Sequence, residues 1–477
     1  MTVGGLGLAG CSLPRATLGQ PDGGDGPRDG GGGIDAGMPV DTGPLPDTGP
    51  LPDTGPLPDT GPLPDTGTMP DAFVPDTGPG PVDVGVDAWT SSCTPGTTRC
   101  AGGAVEQCLN GGVWTAGPAC ALGCIATPMA HCGVFDPSNV APTATSVADF
   151  VVTTDVTLDT TACVSGNGAV ARTVAQAGGG PQVCVYEVGA VDVRAGATVT
   201  VRGMRPLVIL AQDTVTISGT IDVSSYAGGN TGPGADSGGP AAGNGSAAGG
   251  NTDGGGGGGG FGGAGGAGAN GVNGANTATG GALGDVQSST LRPLLGGTRG
   301  GNGSNAGMNG GHGGGAIQIT SLVSIVVDGD ILAGGAGGGG GGGTGGGGGG
   351  GSGGGILLEA PTVTLGGTDP VLTVAGGGGG GGGCGGTAGT AGDDGVDGGS
   401  DRAAGAVSCG TMADGGQGGG GTSRDGDTPS GGTGTNGAGG GGGVGRIVIG
   451  TLTGAFPSGI TNPSSTDALG TYMLSVH

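Results

Sequence analysis

Lysine is absent from the 477 residues: the 12 basic side chains are all arginine, against 37 acidic ones, for a net charge of −25. Without lysine there is no Walker A loop, whose lysine must reach nucleotide phosphates, and no Schiff-base nucleophile. The acidic balance repels phosphates, so no nucleic-acid partner is expected. Aromatic residues make up only 2%, which confines any core to islands of aliphatic side chains. No apolar run reaches the roughly 18 residues that a membrane-spanning helix needs.

What is abundant is glycine, at 136 residues. Between glycine tracts a short pattern recurs: VDVRAGATVTV from Val191, VTISGTIDV from Val215, IVVDGDILA from Ile325 and VTLGGTDPVLTV from Val363. RIVIG at Arg446 reads as the start of another copy. Each copy alternates apolar and polar residues on either side of a glycine, and alternation with valine, isoleucine and threonine predicts strands. Val215 and Ile217 align with Ile325 and Val327, Gly219 with Gly329, and Ile221 with Ile331. Val191 and Val215 lie 24 residues apart, a period that fits one coil of a parallel β-helix in which like positions stack. The expected fold class is therefore all-β, with solenoid-like coils carrying long glycine-rich insertions.

These insertions fall at about 227–315, 334–355 and 376–445, and each ends just before AIQIT, ILLEA or RIVIG. Three tracts leaving one corner of the coil should lie side by side. Glycine loses the most backbone entropy on ordering and buries no side chain, so a tract alone forms a disordered fringe. Crowded tracts can instead bond laterally, as collagen chains do. Glycine-rich phage tail-tip adhesins and some antifreeze proteins resemble such bundles, and that resemblance implies polyglycine II order.

Before the coils come three other segments. Residues 12–91 form an acidic linker with aspartate every six residues from Asp35 to Asp71 and DTGPLP as the unit. Proline, glycine and self-repelling aspartates predict an extended chain. Its DTG triplets lack the apolar flanks of an aspartic protease loop. Residues 92–133 hold Cys93, Cys100, Cys108, Cys120, Cys124 and Cys132. So many cysteines in so short a module predict disulfides in an oxidising compartment, and the sequence does not choose among their pairings. Zinc is the alternative, with Cys120, Cys124 and His131 as the nearest approach to a ligand set. Cys163 with Cys184, and Cys384 with Cys409, complete an even count. Trp114 reads as a core anchor, or as a stacking surface for a sugar. The spacing C-x-G-G-x-V-x-x-C followed by G-G-x-W resembles small Cys-rich repeats in surface proteins of soil bacteria.

Leu8-Ala9-Gly10-Cys11 resembles the lipobox of bacterial lipoproteins. The resemblance implies a signal peptide over 1–11, lipidation of Cys11, and a Ser12 that directs the protein to the outer membrane or cell surface. Ten residues precede Cys11 and none is basic, where signal peptides carry a charged segment; a start upstream of Met1 would supply it. Expected partners are the membrane, through that anchor, and surface glycans or other envelope proteins.

Candidate chemistry is sparse. Asp393, Asp394, Asp397 and Asp401 cluster as calcium-type ligands or as solvated acids, and no cofactor is expected. Gly311-His312-Gly313 and Gly392-Asp393-Asp394 imitate polygalacturonase motifs in reversed order. His312 has no evident partner, Asp328 and Asp330 flank a turn at Gly329, and Glu359 stands alone beside Pro361. No catalytic set emerges, so the expected function is non-enzymatic: a structural or adhesive surface lipoprotein. The alternatives are a carbohydrate- or ice-binding module, and a polysaccharide lyase or hydrolase using Asp328, Asp330 or Glu359.

Overall fold

The computed structural model describes residues 93–477 except 121, 145–146, 237–244, 246–247, 249–252, 274–275, 279–289, 305–307, 367–370, 396–401, 431–435 and 465–467. Cys11, the linker, Asp397 and Asp401 lie outside the described residues. Those described belong to one compact unit, Val86–His477. They are all-β, and no helix among them is long and apolar enough to cross a membrane.

Three parallel sheets organise the chain. The first holds Phe150–Val152, Val191–Val193, Val215–Ile217, Ser324–Val327 and Thr362–Leu365. The second runs from Val156–Asp159 through Thr198–Arg202, Thr220–Asp222, Asp330–Leu332 and Val371–Thr373 to Ile460–Asn462. The third stacks Val183–Val188, Leu207–Ala211, Ala316–Ser321, Gly355–Glu359, Arg446–Thr451 and Leu469–Met473, with Val170–Val174 antiparallel at its edge. The chain visits first, second and third sheets in that order for five rounds, and then passes from Arg446–Thr451 to Ile460–Asn462 in the second sheet and Leu469–Met473 in the third.

Register follows the sequence repeat. Val191, Val215, Ile325 and Val363 are direct partners in the first sheet, as are Ile221 and Ile331 in the second. Burying each such side chain in the shared column contributes about 1.5–3 kcal/mol. The turn between these sheets needs glycine for space. A Cβ on Gly219 would sit 2.3 Å from the Ala197 carbonyl oxygen, and one on Gly329 would sit 2.1 Å from that of Gly219.

Arg446–Thr451 corrects one expectation. It does not begin a new copy in the first sheet but pairs with Gly355–Glu359 in the third. Leu207–Ala211, Gly355–Glu359 and Arg446–Thr451 in the third sheet are buried on both faces and read as apolar runs with little alternation, whereas the equally buried Ala316–Ser321 carries Gln318 and Thr320 on its outer face. One face joins the central core through Ile317, Ile356 and Ile447; the other packs Val208, Leu357 and Val448 against Val140, Phe261, Leu291 and Leu294.

All three insertions join the second sheet to the third, between Asp222 and Ala316, Leu332 and Gly355, and Thr373 and Arg446. The connection closed by the Cys163–Cys184 disulfide occupies the same second-to-third-sheet corner two rounds before the first insertion.

Upstream, Thr98–Ala101, Ala104–Leu109 and Val113–Ala119 form an antiparallel sheet. Disulfides Cys93–Cys108, Cys100–Cys124 and Cys120–Cys132 staple it. All six thiols are thereby consumed, which removes the thiolates a zinc site would require. Trp114 lies 4.4 Å beneath the Arg99 guanidinium, which also pairs with Glu106 at 2.7 Å.

Candidate functional site

The insertions order each other. Along the tract 345–354, successive amides donate to three different neighbours in turn. Gly347, Gly350 and Gly353 donate to Gly437, Gly440 and Gly443; Gly348, Gly351 and Gly354 donate to Gly339, Ala336 and Ala333; Gly349 and Ser352 donate to Gly301 and Thr298. Carbonyls do the same in the remaining directions. Gly345, Gly348 and Gly351 accept from Gly383, Gly380 and Gly377, Gly349 and Ser352 from Gly311 and Gly314, and Gly347 and Gly350 from Gly256 and Gly259. One strand thus has six bonded neighbours drawn from all three insertions. A three-residue rotation is the geometry of a threefold extended helix, which has no internal hydrogen bonds and turns its polar groups outward.

Glycine is required here by space rather than by torsion. None of these central glycines has a left-handed φ, yet a Cβ on Gly349 would lie 2.0 Å from the Gly257 oxygen and one on Gly350 2.1 Å from the Gly377 oxygen. At the bundle surface the requirement relaxes to every third residue. Gly389, Gly392 and Gly395 face inward, with Cβ positions 2.2–2.3 Å from backbone oxygens. Thr387, Ala388, Thr390, Ala391 and Asp393 between them are exposed. The repeat Thr-Ala-Gly-Thr-Ala-Gly-Asp-Asp-Gly was the available signal for this surface.

The sequence-derived candidates take structural places. Asp394 accepts 2.8 Å hydrogen bonds from the Ala227 and Gly337 amides, tying the third insertion to the other two. Among the described residues no group of three His, Cys, Asp or Glu side chains could hold a metal. Asp328 and Asp330 flank the turn between first and second sheets, whereas Glu359 is fully buried on the outer face of the third. The structure therefore does not bring the three together. The Cys384–Cys409 disulfide clips the outer end of the third insertion.

Glu359 is not alone. It accepts hydrogen bonds from Gln318 at 2.7 Å, Thr320 at 2.8 Å, the Ser138 amide at 3.2 Å, the Ser138 hydroxyl and the Tyr472 hydroxyl. Asn139 continues the network to Gln318. Farther along the segment, Glu187 accepts from Arg172, Thr143 and the Ala144 amide. Burial would raise the Glu187 carboxyl, but those hydrogen bonds outweigh it and hold the group below its ordinary value. Two carboxylates therefore fasten residues 138–144 across the third sheet.

A cleft of about 430 Å³ opens where the insertions leave the sheets, lined by Tyr226, Met308, Asn309, His312, Ala336 and Ala391 among others. His312 does have a partner: its Nδ1 meets an Asp236 carboxylate oxygen, and the other oxygen accepts the Gly313 amide at 2.9 Å. The Tyr226 hydroxyl donates to Asp222 at 3.1 Å, and Arg202 stacks 5.3 Å from its ring centroid. Burial, then the Asp222 charge, pushes the Tyr226 phenol up to about 12.

The other two tyrosines are shifted the same way, Tyr186 by burial and Asp159, Tyr472 by burial and Glu359. A raised phenol pKa stabilises the fold fully below the unfolded value of 10.0, and that contribution is lost as pH rises through the folded value. Alkaline titration is expected to show clearly less than half of the phenolate absorbance at pH 10.0, where free tyrosine is half ionised, with the remaining ionisation at higher pH. Ordinary half-ionisation at pH 10.0 in the native protein would contradict this packing.

No protein-family model, characterised protein or solved structure matches the chain.

Proposed function

We propose that the protein is a non-enzymatic surface lipoprotein of the outer envelope, with a structural or adhesive role. In this reading the three sheets wind as a parallel β-helix, and the insertions form a polyglycine II bundle that the coils align and present. The observation that carries it is the six-neighbour bonding of tract 345–354. Such a bundle spends the backbone polar groups of its central tract on neighbouring tracts and presents side chains at its outer positions. The lipobox-like sequence before Cys11, the Pro-, Gly- and Asp-rich composition of residues 12–91 and the disulfide-stapled module support this placement at the cell exterior.

The test is fractionation of cells expressing the full-length gene. The protein is expected in the membrane fraction, and Cys11→Ala should move most of it to the soluble fraction. A Cys11→Ala protein that still sediments with membranes would overturn the anchor.

A second reading, a carbohydrate- or ice-binding module, is favoured by one observation. The outermost tract repeats exposed threonine and alanine every three residues, at Thr387, Ala388, Thr390 and Ala391.

A further inference from the structure

The cleft at the root of the bundle is built by all three insertions: Tyr226 and Ala227 from the start of the first, Met308 and His312 from its end, Ala336 from the second and Ala391 from the third. Its volume of about 430 Å³ falls in the range of small-molecule sites, about 300–1,000 Å³. We propose that this cleft binds a neutral saccharide.

Two side chains in it are fixed before any ligand arrives. Tyr226 is held through its hydroxyl by Asp222 and beneath Arg202. His312 is held through Nδ1 by Asp236. A carboxylate at Nδ1 selects the tautomer with hydrogen there, which makes Nε2 the acceptor for a ligand hydroxyl. Fixing such groups in advance removes the ordering cost that a ligand would otherwise meet.

Charge narrows the ligand class. The lining residues include no arginine; behind them Asp222 is balanced by Arg202, while the carboxylates of Asp236 and Asp394 add negative charge that disfavours an anionic sugar. Each carboxylate already has its own partners: Asp222 has Arg202 and Tyr226, Asp236 has His312 and Gly313, and Asp394 has the Ala227 and Gly337 amides. None therefore stands ready for a cation. What remains is an alternation of apolar surface with the polar side chains of Asn309 and His312. That alternation matches a ligand with C–H faces and hydroxyl edges.

The inference narrows the saccharide part of the second reading to a single cleft, and it is independent of membrane anchoring. The full chain would be titrated by calorimetry with neutral gluco-, manno- and galacto-oligosaccharides and with their uronate counterparts. At least one neutral series should bind, and its uronate counterpart at least tenfold more weakly. Tyr226→Ala and His312→Ala should each weaken binding at least tenfold. Ala391→Arg, on an exposed position away from the Tyr226 contacts, should block the cleft while leaving thermal unfolding unchanged. Absence of binding in every neutral series, a preference for uronates, or undiminished binding by folded Ala391→Arg would overturn the proposal. Any of these would leave the outcome of Cys11→Ala fractionation unaffected.

Discussion

Replacing Gly349 with alanine should destabilise the bundle by about 3 kcal/mol, while the same change at Gly342, seven positions earlier in the tract, should be nearly neutral. A Cβ at Gly349 would lie 2.0 Å from the Gly257 oxygen and 2.5 Å from its carbon. Both are backbone atoms of a strand bonded to its own neighbours, so relief requires moving a tract rather than a side chain. At Gly342 the only atom within 4 Å is the Met308 Cε, at 3.7 Å, which is ordinary contact. Alanine also reduces the entropy of the unfolded chain, worth about 0.4–1 kcal/mol in its favour. That gain can cancel any small strain at Gly342 and cannot offset the clash at Gly349. The measurement is thermal or denaturant unfolding of the two variants, with protease sensitivity of the insertions as a local readout. Equal effects at the two positions would show that the tract does not pack as described.

This contrast marks what the sequence could convey. The register of the first sheet was legible because stacked coils repeat residue types: Val191, Val215, Ile325 and Val363 align in the sequence and pair in the structure. The shared corner of the insertions was legible for the same reason. Which glycine touches what was not, since a run of identical residues carries no local mark of its neighbours. Arg446–Thr451 misled because a strand covered on both faces loses the alternation that distinguishes one sheet from another. The partners of Glu359 and His312 were hidden by distance along the chain. Ser138 lies 221 residues from Glu359 and Asp236 lies 76 from His312, and neither pair falls within a repeat.

Glu359 is where the hidden contacts carry the larger consequence. Glu359→Ala is expected to cost about 3 kcal/mol or more, since several neutral donors lose their acceptor at about 1–3 kcal/mol for each one left unsatisfied. The side chain is fully buried, so in its absence the donors of Ser138, Gln318, Thr320 and Tyr472 lose a shared acceptor away from water. The Tyr472 contact depends on an intervening glycine. Glu359, Gly450 and Tyr472 are successive partners across the third sheet, and a Cβ on Gly450 would fall 2.5 Å from the tyrosine Cζ. Tyr472→Phe removes a single hydrogen bond to the carboxylate and should cost only about 1.5–3 kcal/mol. Ser138 belongs to the segment laid across the sheet, so Ser138→Ala and Glu359→Ala should be non-additive, with a coupling of about 0.5–3 kcal/mol. Loss of the carboxylate should also raise the protease sensitivity of residues 138–144 before the sheets themselves open, because Ser138 loses its anchor and the segment then rests on Asn139, the buried Val140 and Glu187. A Glu359→Ala protein within about 1 kcal/mol of the parent, with 138–144 still protected, would sink this account. The isolated glutamate of the sequence is thus the fastening point for a segment of chain, and its chemistry is spent on the fold.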